Sequence, residues 1–139
     1  MTIEKAVAPV QNVSATELGK DFADRFAVLS WGVPNTELEN KITVQLALKN
    51  ALMQDLNAKE RIRLTCSEPA TMSRASGGKG AVLAGDGTSD IIVETDALTG
   101  TFDLQVTYDG SETITVVGGV TQGSGFVHCG QSLDLEFQL

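Results

Sequence analysis

Residues 91–108 read Ile-Ile-Val-Glu-Thr-Asp-Ala-Leu-Thr-Gly-Thr-Phe-Asp-Leu-Gln-Val-Thr-Tyr, and this stretch most constrains the fold. Phe102, Leu104, Val106 and Tyr108 fall on one side of an extended chain, and Asp103, Gln105 and Thr107 on the other. A period of two marks a strand with one face on a core and one in water. Thr95-Asp96 and Gly100 make the turn that leads into it. The same alternation recurs in Ile42, Val44, Leu46 and Leu48, in Ile62, Leu64 and Cys66, and in Leu133, Leu135, Phe137 and Leu139. Asp109-Gly110 is a tight-turn pair before Thr113–Val117. Phe126–Cys129 is a shorter candidate strand, and Ala81–Ala84 is one short apolar piece. Asn50–Lys59 fits a loop or a helical turn, and 73–89 and 118–125 are glycine-rich loops. Short strands at this spacing predict an all-β chain, an antiparallel two-sheet sandwich over residues 41–139. Leu46, Ile62, Leu64, Phe102, Leu104, Val106, Ile114 and Leu135 are expected inside it.

The first 40 residues follow another rule. Pro9 discourages regular helix around it. Ser14-Ala-Thr-Glu17 fits a capping box. Leu18, Phe22 and Phe26 then recur at i, i+4 and i+8, an apolar stripe on a short helix over about residues 15–27. Trp31-Gly-Val-Pro34 reads as a turn and Asn35–Asn40 as a linker. The expected organisation is an N-terminal arm, 1–40, and a sandwich, 41–139. Leu18, Phe22, Phe26 and Trp31 are the candidate partner-binding residues of that arm. They bind a partner or pack back onto the sandwich, because a helix this short is marginal in water and must bury its stripe somewhere.

The net charge is −8 and the isoelectric point about 4.5. Nucleic-acid binding needs a basic patch to displace phosphate counterions, so no nucleic-acid partner is expected, nor an anionic membrane. No apolar run approaches the roughly 18 residues of a transmembrane helix. Met1–Lys5 lacks a basic segment followed by an apolar stretch, so no secretory signal is read there.

No residue pattern calls for an enzyme, a metal or a cofactor. His128 is the lone histidine and neighbours Cys129, but adjacent strand residues point to opposite faces, so it reads as a surface or rim residue. Gly77-Gly-Lys-Gly80 lacks the leading glycine and the trailing hydroxyl of a phosphate loop. Asp86-Gly-Thr-Ser-Asp90 lacks the spacing and distal glutamate of a calcium loop, and reads as a turn.

Val93-Glu-Thr-Asp96 followed by Gly100-Thr-Phe-Asp-Leu104 resembles the bacterial immunoglobulin-like domains of the invasin and intimin kind, over about two thirds of the chain, Ile42–Leu139. In that family a Thr-Asp turn closed by glycine precedes an alternating strand. Such domains also decorate tailed-bacteriophage virions. This chain has one unit, a leading arm and no secretion signal, unlike the tandem exported repeats of the adhesins. The resemblance therefore implies a non-enzymatic virion structural protein, made in the host cytoplasm: a capsid decoration or cement protein anchored by its arm. Its partners would be the major capsid protein or neighbouring copies of itself, as a homo-oligomer or lattice-bound. A tail, collar or fibre-base component is the alternative within that class. A cell-surface adhesion or carbohydrate-binding module is the alternative outside it. The resemblance also suggests an inter-sheet disulfide between Cys66 and Cys129. Buried reduced thiols and bridges between chains remain open beside it.

Overall fold

The computed structural model describes residues 26–120, 127–129 and 132–138. Among them there are eleven strands and no helix. These are β1 (Phe26–Trp31), β2 (Asn35–Leu38), β3 (Lys41–Lys49), β4 (Arg61–Cys66), β5 (Thr71–Arg74), β6 (Ala81–Ala84), β7 (Asp90–Glu94), β8 (Thr101–Thr107), β9 (Thr113–Val120), β10 (Val127–Cys129) and β11 (Ser132–Glu136). One sheet runs β10-β1-β3-β8-β5, with β2 also paired to β3, and the other runs β11-β9-β4-β7-β6. Every pairing is antiparallel except β1 with β10, which is parallel.

Alternation sets the layers. Ile42, Val44, Leu46 and Leu48 of β3 are buried, and register places Val44 opposite Leu104 and Leu46 opposite Phe102. In the second sheet Ile62 lies opposite Val93 and Leu64 opposite Ile91. Both inner faces meet in one buried cluster, which also takes in Ile114, Val116 and Leu135. All eight residues expected inside are buried there.

The glycines at 118 and 119 are strand, not loop. Gly118 faces Leu64 across β9 and β4, and a Cβ on it would stand 2.8 Å from Leu29 Cδ1 of the other sheet. A missing side chain here lets a leucine from the facing layer fill the space.

The first sheet also begins earlier than the pattern suggested. Phe26, read as the last turn of a helix, opens β1, whose register puts Val28 opposite Lys49 and Trp31 opposite Leu46. Leu29 is fully buried, and Trp31 packs against the core half-buried, with its indole N–H buried without an acceptor. Residues 26–38 are thus sheet residues, and Trp31 belongs to the body rather than to an arm. Phe26 satisfies the i+4 stripe, but its backbone pairs with Val127 of β10, and that pairing makes it strand. Leu18, Phe22 and the rest of the proposed helix lie outside the described residues.

Register assigns the strand ends to two poles. Phe26, Lys49, Arg61, Glu94, Thr101, Val120 and Val127 lie at one, here the N-terminal pole. Lys41, Thr107, Thr113 and Glu136 lie at the other, where Tyr108 and Phe137 meet edge-to-face at 5.7 Å.

Candidate functional site

Two of the connections at the N-terminal pole, the one after β3 and the one before β8, are braced by side chains. After β3, the buried Asn50 organises residues 50–54. Its Oδ1 accepts from the Leu52 amide at 2.9 Å and the Gln54 amide at 3.0 Å, and its Nδ2 donates to Gln54 Oε1 at 3.0 Å. Its carbonyl accepts the Met53 amide at 2.9 Å. Asparagine suits this place because its short amide can bond the backbone two residues on. Met53 is held at φ 62°, a left-handed conformation that disfavours side chains. Lys49 pairs with Asp55 beneath the tip.

The second connection precedes β8. Asp96 Oδ1 accepts from Leu98 N at 2.8 Å and Thr99 N at 3.3 Å, and its carbonyl accepts Gly100 N at 2.7 Å. The two connections are stitched together. Leu48 N donates to the Gly100 carbonyl at 2.9 Å and Leu56 N to the Leu48 carbonyl at 3.0 Å. A Cβ on Gly100 would stand 2.1 Å from the Leu56 carbonyl oxygen, and its φ is +66°. Only glycine fits both constraints. Thr95 Oγ1, buried, accepts from Glu60 N at 2.9 Å and donates to the Ala58 carbonyl at 2.7 Å.

This brace presents apolar side chains to water. Leu98 is 82% exposed, Leu52 56% and Met53 54%. None of the three was singled out in the sequence, where an apolar residue inside a turn looks ordinary.

The other candidates resolve differently. Cys66 is a free thiol that donates to the Ala70 carbonyl at 3.4 Å. Burial, and then Glu68, push it up to about 11, so it stays protonated at neutral pH and is a poor nucleophile. The inter-sheet disulfide that the resemblance suggests was one of three readings left open, and Cys66 is a free thiol here. Cys66 pairs with Val116, two residues along β9 from Gly118 toward the far pole, whereas Cys129 pairs with Val28, one residue from Leu29 toward the N-terminal pole. That offset is roughly three residues of rise, about 10 Å, at right angles to the roughly 10 Å between stacked sheets, a diagonal of about 14 Å. A disulfide needs Cα atoms within about 7 Å. The backbone of His128 lies in β10 opposite Ala27.

Gly77–Gly80 is a crossover pinned to β8. Lys79 N donates to Asp103 Oδ2 at 2.7 Å, and a Cβ on Gly78 would stand 2.6 Å from Asp103 Cβ. Its amide is committed to a carboxylate rather than open to a phosphate. In the 86–90 turn, Thr88 Oγ1 bonds the Gly85 and Asp90 carbonyls at 2.7 and 2.9 Å. The Asp90 side chain is taken by Arg63, at 2.9 Å to Nε and 2.5 Å to the terminal nitrogen. That hydrogen bond holds the Asp90 carboxyl below the usual carboxylate range. Among the described residues no group of three or more His, Cys, Asp or Glu could hold a metal.

A shallow recess of about 350 Å³ opens on the outer face of the first sheet, lined by Asn35, Glu37, Thr43, Gln45, Gly78 and Asp103. Its polar groups already bond one another: Gln45 Nε2 donates to Asp103 Oδ1 at 3.1 Å, and Asn35 Nδ2 to Glu37 Oε1 at 3.1 Å. Among the described residues no helix is long and apolar enough to cross a membrane. Comparison with protein-family models, curated proteins and solved structures finds no match to this chain.

Proposed function

We propose that the chain is a non-enzymatic structural protein of a tailed-phage virion, a capsid decoration or cement protein attached through its N-terminal segment. One observation carries the reading: that segment joins β1 at the pole where braced loops hold Leu52, Met53 and Leu98 in water. Exposed apolar groups on a rigid frame suit attachment, because little ordering entropy is lost when they are buried.

The attached body is an immunoglobulin-like sandwich. The order β1-β3-β8-β5 parallels the first sheet of such domains, and β4, β9 and β11 parallel the second. The β6–β7 hairpin extends the second sheet beside β4 but follows β5 in the chain, a departure from the usual order.

Mass spectrometry of gradient-purified phage particles from lysates of cells carrying this gene tests the proposal. It expects the chain in the particle band at many copies per capsid. Recovery only in the soluble fraction overturns it, and recovery in isolated tails selects the tail or collar alternative.

A further inference from the structure

The second sheet ends at β6, which pairs with β7 on one side only. Ala81, Leu83 and Ala84 are exposed there, Leu83 at 46%, and a recess of about 400 Å³ lined by Ser73, Arg74, Ala81, Val82 and Asp86 opens beside them. An unpaired strand edge is a template for another strand, and proteins blunt such edges with charged residues or proline. β11, at the opposite edge of the sheet, carries Asp134 and Glu136, whereas β6 carries neither charge nor proline. The neighbouring edge strand of the first sheet, β5, is taken at its middle: Met72 N donates to the Thr88 carbonyl and Gly87 N to the Met72 carbonyl, both at 2.9 Å. Among the described residues the apolar edge of β6 is therefore the open one on this flank.

We infer that β6 pairs antiparallel with β6 of a second copy of the chain, about a two-fold axis between Val82 and Leu83. The sequence is self-complementary about that point: Ala81 lies opposite the second copy's Ala84, Val82 opposite its Leu83 and Gly80 opposite its Gly85. Lys79 and Asp86 flank the strand at equal distances, so the lysine of each copy comes to the aspartate end of the other. Both are exposed, and among the described residues neither forms an ion pair within its own chain. Regular alternation forbids this register, because residues facing each other lie on one side of a sheet and Ala81 and Ala84 are an odd number apart. The bulge in β6 removes the obstacle. Ala81 pairs with Glu94 and Ala84 with Ile92, two residues apart on β7, so both alanines share one face. The axis joins the two second sheets into one and reverses strand direction, so the N-terminal poles of the pair point in opposite directions. Leu52, Met53 and Leu98 take no part, and both poles stay open. The pairing goes beyond attachment to a particle and does not rest on it.

Sedimentation of the full chain over a range of concentrations tests the pairing. Monomer and dimer in concentration-dependent exchange are expected, with the β6 amides exchanging more slowly as the dimer fills. Leu83→Lys puts a charge at the centre of the ladder and should leave a monomer with the parent's far-ultraviolet spectrum, since this side chain is already exposed. Lys79→Glu or Asp86→Lys alone sets like charges together at both ends and should weaken pairing by about tenfold at low salt. The two changes together exchange the charges and should restore pairing, which damage to the flanking turns would not do. A chain that stays monomeric at millimolar concentration would overturn the pairing and leave the bulge to keep edges apart. A dimer unchanged by Leu83→Lys, or charge variants that the double change does not rescue, would overturn it as well. None of these readouts involves a particle, so the virion reading stands or falls separately.

Discussion

Gly118 lies under Leu29, one on each sheet, and a Cβ at 118 would come within 2.8 Å of the leucine Cδ1 and 3.4 Å of Leu64 Cδ2. The two layers are interlocked at that point, a small residue in one receiving a large one from the other. Gly118→Val is therefore expected to overpack the core by about 1–3 kcal/mol, and Leu29→Ala to leave a cavity costing about 2–5 kcal/mol. Urea denaturation monitored by circular dichroism measures both. A Gly118→Val protein as stable as the parent would mean that Leu29 is not held there.

The same contact changes where the chain can be cut. Deleting residues 1–38 removes β1, β2 and Leu29, so the expected result is loss of cooperative unfolding. Deleting residues 1–25 leaves every described strand in place and is expected to preserve the far-ultraviolet β spectrum. A folded 39–139 fragment would show that β1 adds little to the first sheet.

The period-two rule made most of this architecture legible, because burial on one face leaves its mark in residue order. β3, β4, β8 and β11 were read from it, with their inward residues. It failed where one residue obeyed two rules or none. Phe26 fitted a helical stripe, and only its backbone pairing with Val127 of β10 makes it strand. Gly118 reads as flexibility until the residue opposite it is known. The resemblance suggested pairing Cys66 with Cys129, beside buried thiols and bridges between chains, but register along different sheets is not written in either strand. The braced pole depends on Asn50 and Asp96 capping their own loops, a signal that was present, and on those loops meeting at Gly100 and Leu56, which was not.

Cys66 gives a chemical prediction. With the folded thiol at about 11 against an ordinary 9.0, the folded state disfavours ionisation more than the unfolded state does. Its contribution is fully present below pH 9 and is lost as pH rises from about 9 to about 11. Melting temperature should fall across that window, and less so in Cys66→Ala. Thiol titration in denaturant without reductant should find both cysteines free. A value of zero would restore the disulfide.

Asp90 titrates in the opposite sense. Its folded carboxyl is depressed by the Arg63 hydrogen bond, so the stabilising contact is present above the ordinary carboxylate range and is lost as pH falls through the depressed value. Carbon-detected NMR should place the Asp90 midpoint below that of an ordinary aspartate and return it toward the ordinary value in Arg63→Gln. Both groups face water, so added salt should shrink the shift. An Asp90 midpoint unmoved by Arg63→Gln would show that the pair does not persist in solution.

Met53 and Asn50 should respond with opposite signs, although both belong to one tip. Met53→Gly removes the left-handed penalty, about 1–2 kcal/mol for a side-chain-bearing residue, offset in part by the greater freedom of glycine in the unfolded chain. A net gain of about 0.5–1 kcal/mol is expected, less whatever cover the methionine side chain receives. Asn50→Ala removes the acceptor of two amides and the donor to Gln54 at a position only 3% exposed. Those partners belong to exposed residues and can turn to water, so the loss should cost about 1–2 kcal/mol. Amide hydrogen exchange separates the two outcomes, with Leu52 and Gln54 exchanging faster in Asn50→Ala and unchanged or slower in Met53→Gly. Equal protection in both variants would mean that the asparagine does not brace the tip, and that Leu52 and Met53 are not held out on a rigid frame.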